Sequence, residues 1–180
     1  MEHKTFHIEG LVAFQPRVFK DDRGYFLETF STKWFEPFGI KPVFVQDNQS
    51  ASKRGVLRGL HFQKPPHAQA KLVRVTSGKA LDVAVDIRKE SPTFGQHVAC
   101  ILDSEKHNLF YIPEGFAHGF VALEDNTTFL YKCTNLYAPS AEGGILWNDP
   151  SLNIDWGVEE PLVSPKDEVL PLLKDFGSPF

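Results

Sequence analysis

Sulfur is nearly absent from this sequence: its 180 residues include two cysteines and one methionine. Cys100 and Cys133 lie in separate apolar segments and form no Cys-x-x-Cys pair. A disulfide framework or a thioredoxin-like motif is therefore excluded, and two buried free thiols are expected. No apolar run approaches the ~20 residues of a membrane helix. The opening stretch MEHKTFHIEG lacks the apolar segment behind a basic start that marks a secretion signal. A cytoplasmic protein without a membrane partner is expected. Excess positive charge is missing as well, the net charge being −4. Nucleic acid is thus not an expected partner, and any anionic ligand must be held by local cations. There is no repeat, low-complexity tract or linker, and the length suits one domain over residues 1–180.

Phenylalanine is abundant, at sixteen residues, and so is period-2 alternation. In LDVAVDI, Leu81, Val83, Val85 and Ile87 share one face, and Asp82, Ala84 and Asp86 the other. Similar strands are predicted at Leu11–Phe14, Val43–Gln46, Lys71–Val75, His97–Leu102, Leu109–Ile112, Gly119–Leu123 and Thr128–Thr134, with another around His61. Turn signals such as Lys64-Pro65-Pro66, Ser77-Gly78 and Pro113-Glu114-Gly115 separate them. Only Thr32–Phe38 and the last twenty residues read as helical. The pattern predicts an all-β sandwich or barrel with short peripheral helices.

Three clusters interrupt the apolar strands. In GVLRGLHFQKPPHAQAKLV, Arg58, His61 and Lys71 fall within fourteen residues on what reads as one hairpin. Strict alternation puts Arg58 and His61 on opposite faces, but a bulge at Gly59 would reunite them. An imidazole beside fixed cations suits removal of a proton from carbon next to a ketone, the cation stabilising the enolate oxygen. Asp82 and Asp167 are candidates to orient the imidazole. In IPEGFAHGF, Pro113, Gly115 and His118 give one half of a cupin-type pattern. The other half is incomplete: His67 is the nearest histidine to His61, and no Glu lies between Gly55 and Lys89. A catalytic metal is therefore not expected. Tyr131 is a candidate acid for the opposite side of a substrate. In FKDDRGYFLETF, Arg23 offers a phosphate partner beside an aromatic that would stack on a base. Gln46 and Asn48 add donors and acceptors for a base edge.

DDRGYFLETF, VQDNQS, GVLRGLHFQ, AQAKLV, ESPTFG, IPEGFAHGF, AEGGILWNDPSLNIDW and SPKD occur in this order. Together they resemble the dTDP-4-dehydrorhamnose 3,5-epimerase family over about residues 5 to 173. The resemblance implies a double-stranded β-helix (cupin-type jelly roll), a homodimer, no cofactor, and a dTDP-linked 4-keto-6-deoxy sugar as substrate. It implies His61 as proton-accepting base, Asp167 as its orienting carboxylate, Tyr131 as proton donor and Lys71 as stabiliser of the enolate. Arg23, Glu28, Gln46, Asp47, Asn48 and Arg58 match positions that hold nucleotide or diphosphate. His118, Glu142 and Lys166 match further ligand contacts, while Phe26 and Tyr137 would flank the thymine or sugar. Ala70, Pro165 and Gln49 depart from the usual pattern without removing a required chemical group. Rival readings are an epimerase that inverts one carbon only, a metal-dependent cupin enzyme, and a sugar-nucleotide binding module without turnover.

Overall fold

The computed structural model describes all residues, 1–180. It contains thirteen strands: β1 (Glu2–Thr5), β2 (Val12–Gln15), β3 (Val18–Asp21), β4 (Gly24–Leu27), β5 (Gln46–Ser52), β6 (Leu57–Gln63), β7 (Lys71–Ser77), β8 (Lys79–Asp86), β9 (His97–Asp103), β10 (Leu109–Ile112), β11 (Phe116–Ala122), β12 (Thr127–Cys133) and β13 (Glu142–Gly144). A six-stranded sheet runs β1-β2-β10-β7-β12-β5, a five-stranded sheet runs β13-β6-β11-β8-β9, and β3 and β4 form a separate ribbon. Between β5 and β13 the chain changes sheet at every step except the β8–β9 hairpin. That alternation, with antiparallel pairing throughout the ladders, is the double-stranded β-helix of a cupin-type jelly roll.

Three apolar clusters hold the layers. Between the sheets, Val73, Val75, Phe110 and Phe129 meet Ala80, Ala84, Leu102, Phe116 and Phe120. Outside the six-stranded sheet, Phe14, Leu72 and Tyr111 are covered by Trp34 and Phe35. These two come from a 3₁₀ helix at Thr32–Phe38, which ends on Gly39 in the left-handed region at φ 66°. Outside the five-stranded sheet, Val83, Val85 and Ile87 pack against Ile145, Leu152 and Trp156. The apolar face of β8 therefore looks outward, to the C-terminal segment, and its Asp82 and Ala84 face the interior. Asp86, at the end of that strand, is tied by Arg88 at 2.7 Å and by Ser91 and Thr93 at 2.6 Å each. Burial works against its charge, yet these donors pull its pKa down to about 2. The ESPTFG turn is thus folded around a buried carboxylate.

Two expectations are corrected. The last twenty residues form no helix of any length, only 3₁₀ turns at Asp167–Val169 and Leu173–Asp175. Pro161, Pro165, Pro171 and Pro179 each remove a backbone donor and break helical continuity. The segment is an extended strap, bonded through Leu57 N–H to Leu162 O and Lys89 N–H to Phe180 O. The strand expected at Val43–Gln46 instead runs over Gln46–Ser52, where both faces are polar and alternation gives no signal.

Candidate active site

The site begins with a miscount in the β6–β11 ladder. His118 pairs with His61 and Phe120 pairs with Arg58, so three steps on β6 match two on β11. The extra residue is a bulge, and it brings Arg58 and His61 to one face. Gly59 sits in it at φ 136°, and a Cβ there would lie 2.5 Å from Gly119 Cα. The two glycines let the strands touch backbone to backbone.

The strap then delivers Asp167, which lies 106 residues beyond His61 in the chain. His61 Nε2–H donates to Asp167 Oδ1 at 2.6 Å, and the Gly59 N–H approaches Oδ2 at 3.3 Å. Burial works to raise the Asp167 pKa, but His61 and the Gly59 N–H outweigh it and hold the carboxyl below its ordinary range. His61 Nδ1 has no protein partner and belongs to a residue that lines the cavity. Opposite stands the six-stranded sheet. Lys71 opens β7, and Tyr131 comes from β12 with its ring 6.0 Å from the Lys71 ammonium. Burial lowers the Lys71 pKa and raises that of the Tyr131 phenol, so at neutral pH the phenol keeps its proton.

These groups share a cavity of about 520 Å³ whose lining includes Arg58, His61, Lys71, His118, Tyr131 and Asp167. A second cavity of about 310 Å³ shares His61, Lys71 and Tyr131 with it and adds Gln46, Asn48, Tyr137 and Glu142. Their joint size suits a ligand larger than a single sugar. Lys166, at the first cavity, pairs with Glu142 at 2.6 Å, and Glu142 also accepts from the Tyr137 hydroxyl at 2.9 Å. Burial would raise the Glu142 pKa, but these two donors win and lower it. Gln63, absent from the expected set, fixes this corner by accepting from Ala138 N–H and donating to His67 O, both at 2.7 Å. Ser50, Phe120 and Phe129 also line the first cavity and were not expected. Nothing in strand alternation marks a serine or a phenylalanine as a lining residue.

Four expected residues lie elsewhere. Asp47 alternates with Gln46 and Asn48 on β5, so it faces outward and pairs with Lys132 at 2.9 Å. Arg23 and Phe26 sit on the exposed β3–β4 ribbon, where Arg23 is paired with Asp21. Glu28 accepts a hydrogen bond from Trp34 Nε1 at 3.0 Å. None of the four lines the cavities around His61. Of the two carboxylates weighed as partners for His61, Asp82 instead accepts from His118 Nε2 at 2.8 Å. His67 is exposed in the turn after β6, and no three His, Cys, Asp or Glu side chains are gathered at metal-ligand spacing. No helix is long and apolar enough to cross a membrane.

Comparison with known proteins agrees with this geometry. The profile of the dTDP-4-dehydrorhamnose 3,5-epimerase family matches residues 5–175. The dTDP-4-dehydrorhamnose 3,5-epimerase of Salmonella typhimurium is 54% identical over 168 residues, 92% of each chain. The crystal structure of the Elizabethkingia anophelis enzyme of that name superposes with a TM-score of 0.93 at 46% identity, covering 97% of both chains. The Legionella pneumophila 3,5-epimerase, solved in complex with dTDP-4-keto-L-rhamnose, gives 0.91 at 47% identity, covering 96% of this chain and 93% of its own. With the family profile spanning nearly the whole chain and relatives at this identity, the protein belongs to the dTDP-4-dehydrorhamnose 3,5-epimerase family.

Proposed function

We propose that the protein inverts C3 and C5 of dTDP-4-dehydro-6-deoxy-D-glucose to give dTDP-4-dehydro-L-rhamnose, a step toward dTDP-L-rhamnose. The observation that carries this reading is the His61–Asp167 pair at 2.6 Å, set in one cavity with Lys71 and Tyr131. The ketone at C4 acidifies the hydrogens on both neighbouring carbons. With its Nε2–H given to Asp167, His61 accepts a carbon-bound proton at Nδ1. The electron pair moves to the C4 oxygen, where the Lys71 ammonium stabilises the enolate. Tyr131 returns a proton to the other face at C5, its phenol kept protonated by burial. Proton exchange with solvent resets His61 and Tyr131, and a second abstraction by His61 with reprotonation from the opposite face at C3 completes the double inversion.

Arg58 faces the same cavity and is suited to the diphosphate. Gln46 and Asn48 are suited to the thymine edge, with Tyr137 as a stacking ring and His118, Glu142 and Lys166 as further contacts. Arg23, Phe26 and Glu28 lie outside their own cavity, and we assign them to the neighbouring site of a homodimer. Asp47 belongs with that group, on the outer face of the six-stranded sheet. The chain works as one domain, in the cytoplasm.

The test is an NMR time course in D₂O with dTDP-4-dehydro-6-deoxy-D-glucose and no added metal. Deuterium and inversion at both C3 and C5 are expected. Exchange at one carbon alone would make this a single-carbon epimerase, and nucleotide binding without exchange would make it a binding module.

A further inference from the structure

A second histidine–carboxylate pair underlies the cavity, and the proton transfers above leave it unused. Asp82 points into the space between the sheets, flanked on its face of β8 by Ala80 and Ala84, all three fully buried. Its Oδ2 accepts from His118, and its Oδ1 is equally hidden with no hydrogen-bond partner. A carboxylate in an apolar layer with one oxygen unsatisfied costs the fold stability. Alanine would continue the pattern of its neighbours. A group that burdens the fold directly beneath a reactive cavity points to function rather than to packing.

Two cavity groups lie within its influence. His118 is the cross-strand partner of His61 and lines the same cavity. Only its Nε2 is engaged. Lys71 enters from the facing sheet, and it feels Asp82 from β8, Glu142 from β13 and Cys133 from its neighbour β12. The remaining titratable and charged groups around the cavity are Arg58 and His61 from β6, His118 from β11, Tyr131 from β12, and Lys166 and Asp167 from the C-terminal strap. Cys133 holds its proton, because burial raises its pKa. Glu142 spends its charge on Lys166. Asp167, also buried, is taken up by His61 and the Gly59 N–H, which leaves Asp82 as the buried anion that acts on both Lys71 and His118.

We propose that Asp82 is a positioning residue for the epimerisation. Its carboxylate holds His118 as the Nε2–H tautomer, with Nδ1 bare to accept a sugar hydroxyl, and it supplies the counter-charge that keeps Lys71 an ammonium beside the ketone. This rests on the epimerase reading above and deepens it. Burial depresses the pKa of both His118 and Lys71, and Asp82 opposes it in each case. For His118 burial prevails, and the ring stays neutral as the tautomer requires.

Asp82→Asn keeps the shape and removes the charge. The kcat should fall about 10- to 100-fold. The alkaline limb of its pH profile, where Lys71 loses its proton, should move down by about one pH unit. The acidic limb, dTDP affinity and melting temperature should hold. A lowered melting temperature with an unmoved pH profile would mean a structural role and would overturn the proposal. Wild-type protein gives a reading that needs no variant: ¹⁵N NMR of labelled histidines should show His118 neutral and protonated at Nε2 from about pH 6 to 9. An Nδ1–H tautomer or an imidazolium in that range would overturn it. Wild-type exchange at both carbons combined with the wrong tautomer sinks this inference alone, whereas failure of wild-type exchange sinks the epimerase reading.

Discussion

Alanine at Gly59 would attack the bulge that assembles the site. The residue has φ 136°, a region that side chains other than glycine rarely enter. The added Cβ would lie 2.5 Å from Gly119 Cα and 2.9 Å from the His118 carbonyl oxygen. Both obstacles are backbone of β11, which is clamped between β6 and β8, so neither can swing aside as a side-chain tip would. The strained backbone costs about 1–3 kcal/mol, and overpacking adds about 1–3 kcal/mol. Their sum, about 2–6 kcal/mol, is a large part of a typical total stability of about 5–15 kcal/mol. At about 2–4 °C per kcal/mol for a chain of this size, the melting temperature should drop by roughly 5–20 °C in a circular-dichroism scan.

The functional loss should exceed the loss of stability. If β6 relieves the clash by returning to regular pairing, Arg58 and His61 part to opposite faces. Deuterium exchange at C3 and C5, measured well below the new melting temperature, should then fall by about 100-fold or more. A Gly59→Ala protein that melts within about 2 °C of wild type and exchanges at the normal rate would refute the reasoning.

Two further substitutions separate the roles within the site. Asp167→Asn should lower kcat by about 10²- to 10⁴-fold with dTDP affinity unchanged; wild-type exchange would remove Asp167 as the orienting group. The same variant tests acid stability. The folded pKa of Asp167 is depressed, so its contribution is present above the unfolded value of about 3.9 and lost as pH falls through the lower folded value. Urea titrations at low pH should therefore show a shallower acid loss in Asp167→Asn than in wild type. Tyr131→Phe should slow net inversion by about 10²-fold and slow initial loss of the substrate's proton much less. Equal losses would argue against Tyr131 as donor.

Where sequence reasoning succeeded and failed follows from what each strand faces. Lys71–Val75, Leu81–Ile87 and Leu109–Ile112 were legible because one side of each strand meets a continuous apolar layer. The convergence of Arg58 and His61 was also legible, since a lone glycine between them signals a bulge. β5 was misplaced because Gln46, Asn48 and Ser50 line a cavity while Asp47 and Gln49 face outward. Neither face carries oil. Asp167 was open to a resemblance but not to periodicity: an irregular strap rich in proline carries it across 106 residues to His61. The separation of the β3–β4 ribbon from the cavities around His61 was likewise hidden, because alternation shows that a strand forms and not which cavity it lines.

β8 shows the physical reason most plainly. Period-2 reasoning assumes that the apolar face of a strand turns inward and the polar face meets water. Here the apolar face of β8 is capped from outside by the strap, and the face bearing Asp82 and Asp86 is the one sealed inside. In a barrel built around a charged ligand, an interior carboxylate reports closeness to the chemistry instead of closeness to solvent. The alternation of LDVAVDI identifies the strand but not which face is sealed inside: Asp82 is bound to His118 beneath the cavity, and Asp86 anchors the adjoining ESPTFG turn.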